Sequence, residues 1–436
     1  MAVARLLTVD TLTASLREMG ITPDMRLAVA VSGGVDSIAL AHLAWHGHAQ
    51  DNLVFLTVDH RLRDSSTREA EQVAQTLRAW GAVCDILTWD GAQHGAGVQE
   101  RARHARYGLL ADAAKRHGCA GVLLGHHADD QAETFWMRLA DGSGLSGLGG
   151  MQSRRDHGGM TWLRPLLGVT RADIVAYARD HALPVIDDPS NKNENFTRVR
   201  LRGFAGQLAD EGLDAPRLSR TMAKLRAADD ALAALTAQFL HRHVTVHGGG
   251  ALHFAHADFA ALPDDLRRRV LQAALLAMTP RDYPPAYDAV LQLAQQFAHD
   301  AAPAASLNGC LLALSRGDVW VMREPAAAAH LPLEAGIGDA LVWDHRFAVR
   351  GAAPLAGRGI TLAALGEAGI AALGQEKERL LWTEDFKNAP AAIKRGAAAL
   401  WQGQKLLAVP QLSWRAGGFD LPLPDIRTHI SFGDIV

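Results

Sequence analysis

An apolar run, then a helical period, then another apolar run: this alternation repeats through the first 190 residues and leaves few folds open. Strand patterns stand at RLAVAV (26–31), LVFLTV (53–58), VCDILTW (83–89) and AGVLLG (120–125). Between them lie helical stripes. One runs through Ala70, Val73, Ala74 and Leu77, after a capping-box pattern at Ser66 to Glu69, and stops at Gly81. Residues 98–117 are helical in period with Gly118 as the stop, another helix pattern runs from Gln131, and Thr170 starts a further one, followed by LPVID at 183–187. Such alternation predicts an α/β fold: a doubly wound, mostly parallel sheet, which binds ligands outside the carboxyl ends of its strands.

Beyond residue 200 the texture changes. Residues 203–300 are rich in Ala and Leu at helical spacing, CLLALSRGDVWVMRE (310–324) reads as a hairpin, and PAAAAHLP (325–332) reads as a linker. LVWDHRFAV and KLLAVPQLSW give the remainder short strand patterns. The expected division is a catalytic domain over 1–215, a mainly helical domain over 216–325 and a small strand-rich domain over 330–436. A chain of 436 residues is long enough for two or three domains.

Net charge is −3, so composition alone does not announce a polyanion partner. Charge is uneven, however: Arg198, Arg200, Arg202, Arg217, Arg220, Lys224 and Arg226 face only Asp210, Glu211 and Asp214 in the same stretch. That stretch is either a solvated helix face or a strip that tracks phosphates. Cys84, Cys119 and Cys310 are far apart with no CxxC, which suits a reducing compartment and no thiolate metal site. No stretch reaches the ~20 apolar residues of a membrane span, and no leader is read in the first 20 residues. A cytoplasmic protein without membrane contact is expected.

The most informative loop is Ser32-Gly33-Gly34-Val35-Asp36-Ser37, set where a strand gives way to a helix. Two glycines let a ligand approach the backbone, the serines add hydroxyl donors, and the first helical N–H groups favour an anion. The loop has no Walker lysine, and Asp36 stands inside it. A carboxylate beside phosphate calls for a cation, so Asp36 points to Mg²⁺. A second constellation, GHHADDQAETFWMRLADGSGLSGLGGM (125–151), begins at another strand end. His126 and His127 point opposite ways in an extended backbone, which is poor spacing for one metal. Asp129 and Asp130 fall where a carboxylate caps a helix, but Asp130, facing the first loop, is read as the second Mg²⁺ or substrate carboxylate. Gly142-Ser143-Gly144 either presents amides to an anion or ends the helix. Asp187, Asp188 and Asn191 read as turn formers or site residues.

Together these segments resemble the tRNA(Ile)-lysidine synthetase family within the PP-loop ATP pyrophosphatases. The matching pieces, in order, are SGGVDS (32–37), VDHRLRDSS (58–66), ERARHARY (100–107), GHHADDQAET (125–134), GSGLSGLGGM (142–151), RPLL with a following TR (164–171) and DDPSN…FTRVRLR (187–202). The resemblance implies the fold of the adenine nucleotide alpha hydrolases. It also implies ATP and Mg²⁺ as cofactors, and a tRNA(Ile) with a CAU anticodon and free L-lysine as partners. O2 of the wobble cytidine attacks the α-phosphate of ATP, pyrophosphate leaves, and the lysine amine displaces AMP to give lysidine. On that reading Asp36, Asp130 and Arg106 are catalytic, and Ser32 to Ser37 with His60 bind ATP. Arg103, His127, Asp129, Glu133, Arg138, Gly142, Ser143, Gly144, Asn191, Arg198, Arg200 and Arg202 bind the substrates. The family's usual Arg before Gly-Ser-Gly is Asp141 here, with Arg138 one turn back as its candidate substitute. A homodimer is the expected assembly. Two alternatives are weighed: a PP-loop tRNA thiolase, which would want paired reactive cysteines, and a non-catalytic, ATP-dependent RNA-binding protein.

Overall fold

A computed structural model describes residues 7–61, 65–91, 98–186, 197–281, 284–299, 304–329, 332–334, 340–374, 386–387, 389–430 and 432. The chain forms two compact units, Met1–Asp229 and Asp230–Val436.

The first unit is built on the elements α1 (Val9–Glu18), β1 (Leu27–Ala30), α2 (Val35–Gly47), β2 (Leu53–Asp59), α3 (Ser66–Ala79), β3 (Cys84–Thr88), α4 (Val98–Arg116), β4 (Gly121–Leu123), α5 (Ala128–Ala140), α6 (Leu145–Leu148), β5 (Arg154–His157), β6 (Met160–Leu163), α7 (Arg171–Asp180), α8 (Thr197–Asp210) and the start of α9 (Ala215–His243). Its sheet runs β3-β2-β1-β4-β6-β5, parallel throughout except for β5 at the edge. Apolar runs without alternation are what a strand buried on both faces requires. In β1, Leu27 and Val29 face the layer that holds Leu12, Ile38, Leu40 and Ile174. Ala28 and Ala30 face Leu110, Ala113 and Ala114 of α4. Small residues on that side let α4 lie close to the sheet.

The sheet's fifth and sixth strands come from residues 154–163, where RRDH carries no apolar signal and MTWL is only four residues long, and 183–186 lie outside the sheet. The capping box at Ser66 does not form. Ser65 takes the cap position without a side-chain bond, and the hydroxyls of Ser66 and Thr67 donate to buried Asp59 at the end of β2.

The second unit holds β7 (Thr245–His247), β8 (Ala251–Ala255), β9 (Ala305–Leu307), β10 (Cys310–Ser315) and β11 (Asp318–Arg323) in one antiparallel sheet, covered by Asp264–Met278 and Tyr287–Gln296. The expected hairpin at 310–324 is there, but as the centre of five strands, so this region is α+β and not simply helical. Its tail adds a five-stranded and a three-stranded antiparallel sheet. The turn between the strands Ala340–Trp343 and Phe347–Arg350 carries Asp344, whose side chain is fully buried. Arg323 Nε and Arg346 Nε donate to its two carboxylate oxygens at 2.9 and 2.8 Å. No described helix is long and apolar enough to cross a membrane.

Where α2 meets α7, His42 packs among the rings of His46, Trp80, Tyr177 and His181. Its Nδ1 lies 2.8 Å from the Tyr177 hydroxyl. Burial first, then the imidazoles of His46 and His181, pull its pKa from 6.5 to about 4. Between those two values the unfolded chain binds a proton here that the folded chain refuses, so stability falls as pH drops from 6.5 toward 4. Denaturation midpoints at pH 7 and pH 5 should therefore lie closer together in His42→Phe than in the parent chain.

Candidate active site

Strand β1 is flanked by β2 on one side and β4 on the other, so the order of the sheet reverses between β1 and β4. A doubly wound sheet opens a crevice at that point, at the carboxyl ends of its strands. Both constellations emerge there, residues 31–34 from β1 and 124–127 from β4.

The first loop is shaped from inside. Gly33 has φ +89°, and a Cβ on it would meet Val73 at 3.0 Å and Ile186 at 3.1 Å. Ser37 is buried; its Oγ accepts from the Ser32 N–H at 3.1 Å and donates to the Gly34 carbonyl at 2.9 Å. Ser32 is exposed, its hydroxyl 3.2 Å from that of Ser37. Gly34 caps α2 with no side chain to offer, so the positive end of a 13-residue helix faces the crevice without a side-chain cap.

The second loop closes on the first. Gly125 sits so close to α2 that a Cβ would lie 3.1 Å from the Asp36 carbonyl oxygen and 3.3 Å from the Ser37 Cα. His127 then takes the cap position of α5 in an extended backbone, and Asp130 completes the capping box by accepting from the His127 N–H at 3.1 Å. The expected capping carboxylate thus occupies the third helical position, and an imidazole stands in its place. The His127 ring is buried. Its Nε2 lies 3.7 Å from Asp36 Oδ1 and 3.5 Å from Asp130 Oδ2, and its Nδ1 lies 3.6 Å from Asp129 Oδ2. Asp36 and Asp130 therefore meet at a single nitrogen.

Burial is the largest single influence on His127 and favours the neutral ring; three carboxylates together outweigh it and raise the pKa. Nδ1 also faces the Asp130 amide at 3.4 Å, a contact that wants it unprotonated, but the sum of the carboxylates favours imidazolium. Asp129 is held below the usual carboxylate range, first by His127 and also by the Arg171 N–H, which donates to it at 2.7 Å. Asp129 thus ties the start of α5 to the start of α7.

Beside this acidic group lies a cleft of about 230 Å³ lined by His60, Ala102, Arg103, Arg106, Tyr107, Leu124 and His126. Arg106 is half-buried, and desolvation lowers its pKa. His60 is also lowered, by burial and then by the Arg106 charge. His126 and His127 point to different surroundings, the first into this cleft and the second among the carboxylates.

Other expected residues have local partners. Glu133 is buried one turn along α5. Arg138 Nη1 donates to the carbonyls of Gly147 and Gly150, at 2.5 and 3.3 Å. Gly142 has φ +69°, and the amides of Gly142 and Ser143 return to Leu139 and Arg138. This is a Schellman ending, so Gly142 and Ser143 terminate α5, and Gly144 caps the four-residue α6. Asn191 lies outside the described residues, and so do the side chains of Arg198, Arg200 and Arg202, whose backbone is in α8.

Three contributors carried no assignment in the sequence reading. Gly125 closes an apolar strand opposite a Gly-Gly loop, a signal that was legible. Asp59 anchors the start of α3. Gln131 exchanges two hydrogen bonds with the Met151 backbone, at 2.9 and 2.7 Å, which nothing local in the sequence announces.

A family profile described as a PP-loop domain matches residues 8–208, and one described as the TilS substrate binding domain matches 254–320. The tRNA(Ile)-lysidine synthase of Ruegeria pomeroyi is 35% identical over 404 residues, covering 92% of this chain and 92% of that protein. This chain belongs to the tRNA(Ile)-lysidine synthase family. The synthases of Bradyrhizobium diazoefficiens and of Wolbachia pipientis wMel are 38% and 32% identical, over 69% and 74% of this chain and 90% and 76% of their own lengths. In this synthase-family chain the loop, Asp36, Arg106, His127 and Asp130 all lie within the matched PP-loop domain.

The Gly125 contact is testable. In Gly125→Ala the new methyl group must push the backbone of residues 36 and 37. Urea unfolding should show a loss of about 1–3 kcal/mol. ATP affinity, measured by calorimetry, should fall in the folded variant as the two strand ends separate.

Proposed function

We propose that this chain makes lysidine: it uses ATP to join L-lysine to C2 of the wobble cytidine of a tRNA(Ile) with a CAU anticodon. The observation that carries this reading is the meeting of Asp36 and Asp130 at the His127 ring, beside a helix terminus with no side-chain cap.

The crevice suits a triphosphate. Backbone amides at the start of α2 and the Ser32 hydroxyl face the phosphates, and Gly33 and Gly34 leave room for them. Mg²⁺, when bound, supplies charge neutralisation at the phosphates, and Asp36 and Asp130 are the residues to hold it. Two carboxylates with nucleotide oxygens are a usual set for that ion. The His127 ring, set between the two carboxylates, fixes their orientation. Arg106, His60 and His126 line the adjoining cleft, where an adenylated base is bound and Arg106 stabilises its phosphate.

The cytidine O2 is a weak nucleophile, so positioning and charge stabilisation at the α-phosphate carry the first step. Attack forms the O2–P bond and breaks the bond to pyrophosphate. In the second step the lysine amine bonds to C2 and AMP departs with O2. The amine titrates near 10.4 in free lysine and must lose a proton to react; Asp130 and Glu133, both on α5, are the carboxylates we assign to that task. Arg198, Arg200 and Arg202 on α8 contact the anticodon arm, and residues 216–325 and 330–436 grip the rest of the tRNA. We further propose a cytoplasmic homodimer.

A thiolase reading is not favoured. Cys84 and Cys310 are buried, and burial pushes both thiols up to about 11. Low thiolate content is the opposite of what sulfur transfer needs.

Incubation of a CAU-anticodon tRNA transcript with the chain, ATP, Mg²⁺ and lysine should add one lysine less water to a single cytidine, read by nuclease digestion and mass analysis. An unmodified transcript overturns the reading. Asp36→Asn should reduce pyrophosphate release at least ~100-fold, the scale of losing a charge-stabilising group at a transferring phosphate. Undiminished release in that variant removes Asp36 from the chemistry.

A further inference from the structure

The RPLL segment has no role in the chemistry above, yet its arginine is a buried cation without a described carboxylate partner. Arg164 follows β6 at the carboxyl edge of the sheet and is 7% exposed. Its Nη1 donates to the Gln152 carbonyl at 3.0 Å, and Tyr107 is its hydrogen-bonding neighbour. Its Nε is buried with no hydrogen-bond partner. No described carboxylate pairs with it; burial first, and after it the charges of Arg155 and Arg103, lower its pKa. A buried cation without an anion is costly, and like charges add to the cost.

The residues above it are also cationic. Arg103 is exposed and lies over the Tyr107 ring at 5.3 Å. Tyr107 packs edge-on against Trp162 at 4.7 Å. Arg155 pairs in register with Trp162, so both project from the same face of the sheet. It is exposed, and its charge is felt at Arg138 and Arg164. Its neighbour Arg154 projects from the other face and is engaged: it donates to the Met19 carbonyl at 2.8 Å and lies 3.9 Å from Asp156. One arginine of the pair is tethered, and the other stands over a buried, unneutralised charge.

We propose that Arg155 and Arg103, backed by the buried Arg164, form a phosphate-binding patch for the RNA backbone of the substrate tRNA. The patch starts at the cleft that holds Arg106 and runs outward over Tyr107 and Trp162 to the edge strand β5. Such a line of cations fits a polyanion that continues beyond the reacting nucleotide better than it fits ATP, whose phosphates lie two strands away at β1. This assignment rests on the lysidine-forming reading, because that reading supplies the RNA.

The test uses the full chain and a CAU-anticodon tRNA transcript, with affinity measured across a range of salt. Arg155→Gln should weaken binding about tenfold at physiological salt, and the slope of log K against log salt should fall by about 0.7–0.9, one phosphate contact. Arg154→Gln, one residue away on the opposite face, should leave slope and affinity as they are, and ATP affinity should be unchanged in both. Arg164→Met should lower the slope as well; if it does not fold, the exposed Arg155 variant decides alone. A parental slope in Arg155→Gln, an equal loss in Arg154→Gln, or a loss of ATP affinity in Arg155→Gln overturns the patch. Lysidine formation by the parent chain is scored separately, so failure of the patch is distinct from failure of the reaction assignment.

Discussion

The contact between Gly125 and the first turn of α2 is the constraint on which the site depends. Two parallel strands alone hold their ends about 4.8 Å apart, and any side chain at the end of β4 would widen the gap to the helix that follows β1. With only hydrogen at residue 125, the backbone of one strand end touches the Asp36 carbonyl of the other. His127, two residues on, then falls within reach of Asp36, and Asp130, one turn into α5, falls on the same imidazole. The acidic group is therefore a product of backbone proximity, and no side chain of the group has to stretch to complete it.

The charge at this sheet edge is divided. Carboxylates gather where β1 and β4 diverge, around one buried ring. Arginines gather on the α4 side, around Tyr107 and Trp162. Mixing them would have formed ion pairs, and the separation leaves each sign facing outward. An acidic half suits a cation shared with a triphosphate, and a basic half suits phosphates that bring no metal. The buried Arg164 belongs to the basic half: it hydrogen-bonds a carbonyl and a phenol, and no described carboxylate neutralises it.

Much of this was legible in the sequence. Apolar runs at 27–30, 53–56 and 120–125 announce a two-sided sheet, and SGGVDS with HHADD, each after such a strand, announces the crevice. What escaped has physical causes. Strand β5 reads RRDH; an exposed edge strand needs no apolar face, so it left no pattern. The five strands around residues 310–323 were half hidden because β7 and β9 have three residues each and β8 lies within an Ala- and Leu-rich stretch. The cap at His127 went unseen because Asp is the usual residue in that role, and one of the three carboxylates around the imidazole, Asp36, lies almost a hundred residues earlier. Ser66 and Glu69 had the spacing of a capping box, but the Ser66 hydroxyl found a better acceptor in buried Asp59. The Gly142 turn offered two readings that only backbone geometry could separate.

The bridging carboxylate of Asp344 has a consequence for how the second unit can be divided. Arg323 ends β11, the strand in which the match to the substrate-binding profile stops, while Asp344 and Arg346 belong to the tail beyond it. Trp320 and Met322 of that same strand pack with Leu365, Ile393 and Leu406 of the tail. A fragment trimmed to residue 325 would strand a guanidinium without its anion and uncover an indole and a thioether. The tail is thus a structural prerequisite for the strand before it, and removing it would show first as insolubility, ahead of any change in what the chain recognises.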